Sequence, residues 1–220
     1  MSTSSSAPRS AASTVKRQPD RASYDDEAVH AVLDAGLVGH VGLVGADGRP
    51  VVIPMLYGRE GGDVYLHGSV ASRLQRTLAE GVDVCLTVTL IDGMVLARST
   101  FHHSMNYRSV VVLGRAVALG PDEKAHGLKV ITEHLTPGRW DEAREPNDLE
   151  LRKTAVLRLP IAEASVKVRT GGPVDEEDDM ALPVWAGVVP VVAAFGTPIP
   201  SADLDPSIAA SPATLAFADR

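Results

Sequence analysis

Cysteine is nearly absent: Cys85 is the only one in 220 residues. A single thiol closes no intrachain disulfide and builds no Cys-rich zinc site. Flanked by Val84 and Leu86, it reads as a buried, inert side chain. Aromatic residues make up 4% of the chain, so the core must be packed from aliphatic side chains, which the 45% hydrophobic content supplies. Positive charge is also in deficit, with 21 Lys+Arg against 28 Asp+Glu and a net charge of -7. That balance excludes an extended nucleic-acid surface, because neutralising phosphates takes an excess of cations. It leaves room for a local basic pocket that holds one phosphate group. No basic start followed by an apolar stretch marks a secretory signal. The apolar run at residues 184–195 is broken by Gly187 and Pro190 and is too short to span a bilayer. The expectation is a soluble cytoplasmic protein without a membrane segment.

Several chemistries are missing as motifs. There is no G-x-S-x-G elbow, no P-loop, no G-x-G-x-x-G turn and no HExxH helix. His102 and His103 are adjacent, and neighbours on a strand point to opposite faces, so the pair does not suit one ion. No metal site is expected.

Residues 1–20 carry Ser, Ala, Thr, Pro and Arg with almost no large apolar groups, a composition that predicts a disordered tail. Residues 193–220 are Pro- and Ala-rich and read as a second flexible tail, which leaves residues 21–192 as the folded domain. The acidic cluster at residues 175–179 reads as a solvated loop.

Within the domain the punctuation is dense. Ser23 and Asp26 resemble a capping box; Ala28, Val29, Val32 and Leu33 share a helical face that Gly36 ends. An apolar strand over residues 37–44 meets Asp47-Gly48, a hairpin signal, and returns over residues 51–57. Gly61-Gly62 turns into a third strand at residues 64–66. Ala71, Leu74 and Leu78 have helical spacing, closed by Gly81. Residues 82–90 and 94–99 read as strands joined by a hairpin at Asp92-Gly93, and residues 107–119 as one long strand. Pro121 opens a helix carrying Leu128, Ile131 and Leu135. Residues 154–159 and 164–168 complete a meander of short antiparallel strands with a few helices. Closing it into a barrel hides the strand edges; a sandwich is the alternative from pattern alone.

Two segments concentrate polar chemistry. In Tyr65-Leu66-His67-Gly68-Ser69-Val70-Ala71-Ser72-Arg73 a strand ends in a small-residue turn and a helix begins. Such a helix start presents free N–H groups, Ser69 and Ser72 add hydroxyls, and Arg73 adds a charge-assisted donor for a phosphate. An ordinary serine cap with a surface arginine is the competing reading. In Phe101-His102-His103-Ser104-Met105-Asn106-Tyr107-Arg108-Ser109-Val110 polar groups crowd the start of an apolar strand, a costly arrangement unless they meet a ligand or a partner chain. His67, with an ordinary pKa near neutrality, is the candidate proton shuttle; a structural histidine is its alternative.

At these residues the sequence resembles the flavin-nucleotide-binding branch of the pyridoxamine 5'-phosphate oxidase-like superfamily, which includes the nitroimidazole-resistance reductases. The resemblance rests on Asp47-Gly48-Arg49-Pro50, Val52-Ile53-Pro54-Met55 with Tyr57, the Tyr65-to-Arg73 segment, Asn106-Tyr107-Arg108-Ser109-Val110-Val111-Val112-Leu113-Gly114, and Pro183-Val184-Trp185-Ala186-Gly187-Val188-Val189-Pro190, in order over roughly residues 20–192. It implies a six-stranded antiparallel split β-barrel that forms a homodimer, with FMN at the subunit interface. Ser69, Ser72 and Arg73 would hold the FMN phosphate. Ile53, Pro54 and Met55 would lie along the isoalloxazine edge. Asn106, Tyr107, Arg108 and Ser109 would contact the cofactor, and Trp185 would cover the ring unless it packs the barrel end. His67 would sit near the ring as the catalytic group. The C-terminal substrate signature of true pyridoxamine 5'-phosphate oxidases is not found: Lys167-Val168-Arg169 runs into Gly171-Gly172-Pro173. The resemblance therefore does not extend to vitamin B6 oxidation, and Lys167 and Arg169 read either as a cationic rim or as exposed edge charges. The implied activity is reduction of a small electrophile, such as a nitro compound or quinone, by a reduced nicotinamide. A non-catalytic flavin store, or the same barrel holding deazaflavin or haem, is the alternative.

Overall fold

Hairpins and helix stops set most of the element boundaries. A computed structural model describes residues 7–219. The first six residues of the expected N-terminal tail lie outside the described residues.

In chain order the elements are β1 (Ala22–Ser23), α1 (Asp26–Ala35), β2 (Val38–Val44), β3 (Pro50–Glu60), β4 (Asp63–Ser69), α2 (Arg73–Ala79), β5 (Asp83–Leu96), β6 (Ser104–Arg115), β7 (Val117–Ala118), α3 (Pro121–Leu135), α4 (Arg139–Glu142), α5 (Asp148–Lys153), β8 (Thr154–Pro160), β9 (Glu163–Arg169), β10 (Gly187–Pro190) and α6 (Pro212–Leu215). The fold is mainly antiparallel β with helices, as expected, with ten strands among the described residues where the resemblance implies six. β1 and β7 are only two residues long.

Two compact units are built from interleaved segments. One takes the segment ending at His40, Cys85–Leu113 and Ala162–Val192; the other takes Val41–Val84, Gly114–Ile161 and the segment from Ala193 onward.

In the first unit the strand order is β1-β9-β6-β5, with β10 also on β5. Val29, Val32 and Leu33 of α1 are buried, and α1 packs against β9. Asp25 rather than Ser23 occupies the N-cap of that helix, with its own backbone extended. Ser23 pairs instead with Val166 in the β1–β9 ladder.

β5 differs from expectation. It runs unbroken for 14 residues through Asp92-Gly93, so that dipeptide is not a turn. Buried positions fall on Val84, Leu86 and Val88, then on Gly93 and Val95. The side-chain phase therefore slips by one residue between them, as at a bulge. The reason is tertiary. β10 pairs along Gly93–Leu96, and a Cβ on Gly93 would lie 2.9 Å from Val188 Cγ1. Cys85 is half-buried, with its sulfur 3.7 Å from Thr87 Oγ1, less enclosed than expected. Asp175 is also not solvated: its side chain is 2% exposed and pairs with Arg98 at 2.8 Å.

In the second unit the order is β2-β3-β4-β8-β7. Gly48, at φ 78°, makes the β2–β3 turn in a conformation that favours glycine. α3 begins at Pro121, as expected, and lies across β3, β4 and β8. Its core is Val130 and Ile131 against Tyr65, Leu119 and Val156. Burying each such aliphatic side chain contributes about 1.5–3 kcal/mol. The helix backbone comes so close to β3 that a Cβ on Gly58 would lie 2.6 Å from Ile131 Cα. β3 and β4 pair from Tyr57↔Leu66 to Glu60↔Asp63, and β4 pairs with β8 along its whole length. Those pairings hold the end of β4, with His67 and Ser69, in a rigid frame. Ala213, 7% exposed, donates its N–H to Glu142 at 3.1 Å. No helix among the described residues is long and apolar enough to cross a membrane.

Candidate cofactor site

The second unit contains a cavity of about 680 Å³ between the β2–β3 hairpin and α2. Ile53 from β3, Ser72 at the N-cap of α2 and Arg73 at its first position line it, joined by Asp47, Arg49 and Thr77. Three residues expected from sequence thus meet in one cavity.

The turn that places them is tied down at several points. The Ser72 N–H donates to the Ser69 carbonyl at 2.9 Å, and Val70 N–H to the Lys153 carbonyl at 3.1 Å. Ser69 Oγ accepts from Ala71 N–H at 3.2 Å. Ser72 caps the helix without a side-chain hydrogen bond and is one of the residues that line the cavity. α2 spans only seven residues, with Ser72 as its N-cap. A macrodipole of two turns is small, so the positive charge of this site comes from side chains.

Arg49 is the functional candidate that sequence reasoning missed. The signal was present, since an arginine directly after an Asp-Gly turn is held at a hairpin tip. Its backbone carbonyl accepts from Gly45 N–H at 2.8 Å, and its N–H donates to Asp47 Oδ1 at 3.2 Å. Its side chain is 84% exposed and only 3.8 Å from Asp47 Oδ2, a loose contact that leaves the guanidinium available. With Arg73 also exposed, two arginines and one aspartate charge this cavity, and the balance favours an anion.

The cavity lining does not include Pro54, Met55, His67 or Ser69. His67 is half-buried. Burial pushes its pKa below the ordinary histidine value, and its Nδ1 is sealed without a hydrogen-bond partner. Next to it, Gly68 is where Gln75 of α2 packs: a Cβ there would lie 2.5 Å from Gln75 Nε2. Gln75 is 3% exposed and its Oε1 also lacks a partner. Two neutral, partly unsatisfied polar groups therefore flank one glycine.

The remaining expected residues belong to the first unit, and most have protein partners. Asn106 Nδ2 donates to the Gly171 carbonyl at 3.1 Å, and its Oδ1 accepts from Arg169. Arg108 forks Asp92. Ser109 Oγ donates to the Lys167 carbonyl at 3.3 Å. Tyr107 is half-buried opposite Arg169. Trp185 is 63% exposed, which removes the reading of a packed core tryptophan. Of the adjacent histidines, His103 Nδ1 accepts from Ala97 N–H at 3.2 Å. That hydrogen bond occupies the Nδ1 lone pair, which is then not free for a metal. His102 Nε2 faces Glu176 at 3.5 Å. Among the described residues no group of three His, Cys, Asp or Glu could hold an ion.

Comparison with known proteins adds to this geometry. Residues 25–168 match the family described as pyridoxamine 5'-phosphate oxidase. The structure of the flavocytochrome Anf3 from Azotobacter vinelandii is 44% identical, with a TM-score of 0.89 over 94% of this chain and 97% of that one. The FAD and haem binding protein from Mycobacterium smegmatis is 35% identical, with a TM-score of 0.87 over 90% and 97%. A putative 5-nitroimidazole antibiotic resistance protein from Bacteroides thetaiotaomicron is 25% identical, with a TM-score of 0.57 over 67% and 86%. A search of curated proteins returned no match.

Proposed function

This chain belongs to the pyridoxamine 5'-phosphate oxidase family, and from that premise we propose that it is a flavin-binding oxidoreductase. The cavity between the β2–β3 hairpin and α2 carries the reading. It pairs the apolar Ile53 with Ser72, Arg73 and Arg49, an apolar wall with a few placed polar groups, as ligand sites have. Arg73 and Ser72, with Ser69 at the same turn, hold the flavin phosphate. Ile53, Pro54 and Met55 offer β3 as an edge for the ring. The flavin supplies the redox chemistry when bound, and the protein supplies binding and orientation. FMN is the flavin the sequence resemblance implies. FAD is named for the relative that is 35% identical, and the second arginine of the cavity suits its diphosphate.

His67 acts near the ring as a proton acceptor in this reading. Its depressed pKa keeps it neutral at pH 7. Electrons come from a reduced nicotinamide and pass to a small electrophile, a nitro compound or a quinone. The working form is a homodimer. Val52 and Leu56, on one face of β3, are 61% and 46% exposed, an apolar face that a second copy would cover.

A haem-containing variant is the second reading. It is favoured by the names of the two relatives above 30% identity, and His67, whose Nδ1 has no hydrogen-bond partner, would hold the haem iron more readily than His103, whose Nδ1 is already hydrogen-bonded.

An absorbance spectrum of the purified protein tests both. Flavin bands are expected, with a Soret band added if haem is held, and the mass of the released flavin decides between FMN and FAD. A deazaflavin would give its own spectrum and mass. Colourless protein that takes up neither flavin nor haem on titration would remove the proposal. Full flavin loading with no turnover over a panel of donors and acceptors would reduce it to a flavin store.

A further inference from the structure

Residues 9–17, whose composition reads as a disordered tail, are tied to the first unit at both ends. Arg9 Nη1 donates to the Ala162 carbonyl, and Ser10 Oγ donates to the Glu163 carboxylate. At the other end the Arg17 carbonyl accepts from Lys167 Nζ at 2.8 Å. Between these clasps Val15 N–H donates to the Tyr24 hydroxyl at 2.9 Å. Ser10 also folds the segment into a turn: its Oγ accepts from Ala12 N–H at 2.9 Å, and its carbonyl accepts from Thr14 Oγ1 at 2.7 Å.

Both side chains that β9 offers to these clasps lie on one face of that strand. Successive strand residues alternate between faces, so Glu163, Ser165 and Lys167 make one row, and Val166 belongs to the other. Ser165, in the middle of the row, is 7% exposed; Ser13, in the middle of the segment, is 3% exposed. β1 reaches no further along β9 than Val166, so it does not cover Ser165. The segment clasped on either side of Ser165 does.

The hold is polar. Residues 7–14 are Ala, Pro, Arg, Ser, Ala, Ala, Ser and Thr, with no large apolar side chain to bury. Each such hydrogen bond is exchanged against water for a small net gain, and ordering the segment costs backbone entropy at every residue. α1, further along the chain, is anchored by the buried Val29, Val32 and Leu33. Between the two lies Gln18, at φ 55° and ψ 59°. It is the one non-glycine residue with positive φ among the described residues. A left-handed glutamine directly before Pro19 is strained, and the strain is relieved when the residues ahead of it leave their clasps. A weakly held segment, a strained pivot and a firmly anchored helix together make a part that detaches as a unit.

We propose that residues 9–17 are a detachable strap that pivots at Gln18. Docked, it covers the Glu163–Ser165–Lys167 row and engages the Lys167 ammonium. Lifted, it bares the row and frees that ammonium. The inference stands whether or not the chain holds a flavin.

The test uses the full chain, with hydrogen exchange read by peptide mass spectrometry. In the wild type, residues 10–17 should exchange more slowly than an unstructured chain and faster than α1, because the strap opens without global unfolding. Ser10→Glu sets a second carboxylate against Glu163 and should speed that exchange severalfold, with α1 unchanged. Adding Glu163→Lys supplies the opposite charge and should restore the slower exchange. Acetylation of Lys167 by an amine reagent, measured against Lys129, should rise severalfold in Ser10→Glu and fall back in the double variant. Wild-type exchange of residues 10–17 at the rate of an unstructured chain would overturn the docked state. Exchange as slow as that of α1, in the wild type and Ser10→Glu alike, would overturn the detachment and make the segment a fixed part of the fold. Faster exchange in Ser10→Glu with Lys167 acetylation unchanged would overturn its role as a cover.

Discussion

Arg108 on β6 grips the Asp92 carboxylate on β5 by both oxygens, with Nη2 at 2.7 Å from Oδ1 and Nε at 3.0 Å from Oδ2. The contact ties β6 to the slipped segment of β5 and engages an arginine that the family resemblance assigns to the cofactor. The hydrogen bond to Asp92 raises the Arg108 pKa. The two side chains are 42% and 34% exposed, so water screens the pair. A double-mutant cycle of Asp92→Ala and Arg108→Ala in urea is expected to give a coupling of about 0.5–1 kcal/mol. No coupling would return Arg108 to the pool of free cofactor ligands.

Arg73 is exposed at the start of α2 and lines the cavity. Arg73→Ala should leave the melting temperature within about 2 °C of wild type, as surface substitutions do. It should weaken flavin binding by roughly 10- to 150-fold, the equivalent of one charge-assisted hydrogen bond of about 1.5–3 kcal/mol. Fluorescence titration of the apoprotein reads this. Unchanged affinity would move the phosphate elsewhere in the chain.

Gly58 is where α3 rests on β3. A methyl group there would meet Ile131 Cα and the Val130 carbonyl, both at 2.6 Å, and backbone cannot step aside as a flexible side chain can. Gly58→Ala should destabilise by about 1–3 kcal/mol or more through overpacking. Gly62→Ala, with nothing within 4 Å of the added carbon, should fall within about 0.5 kcal/mol of wild type. Denaturant midpoints compare the two. Equal effects would mean that α3 is not seated on Gly58.

His67 sets a pH dependence whose sign follows from burial. Its folded pKa lies below the unfolded value, which is about 6.5. The unfolded chain then binds the proton more readily, so the contribution of His67 is fully present above about pH 6.5 and is lost as pH falls through the folded pKa. His67→Gln should therefore lose less stability than wild type between pH 7.5 and 5. The imidazole carbon-bound proton in NMR should titrate below the ordinary histidine range. A titration at or above that range would show the ring to be solvated or paired with an acid.

The readings that held were local ones. The β2–β3 hairpin at Asp47-Gly48, the buried face of α1 and the start of α3 at Pro121 follow from turn chemistry, side-chain periodicity and a fixed proline φ, each written within a few consecutive residues. The Asp92-Gly93 pair carries the same local signal as Asp47-Gly48 and forms no turn, because β10, about a hundred residues later, takes the space beside Gly93. Asp175 reads as solvated in a run of acids until Arg98 captures it.

The candidate site divides the same way. Ser72 and Arg73 stand together in the chain, and their meeting with Ile53 in one cavity needed only neighbouring elements. Asn106 and Arg108 have the polar character of ligand-binding residues, and only their distant partners, Arg169 and Asp92, show that much of their bonding capacity is used within the protein. The sequence by itself determined where strands turn and helices begin, because those choices are made by φ, ψ and side-chain period over a few residues. Tertiary structure decided which polar groups are free for a ligand and which charges face each other, because a hydrogen bond or an ion pair depends on what the folded chain brings within about 3–4 Å, and the sequence order of the residues does not encode that distance.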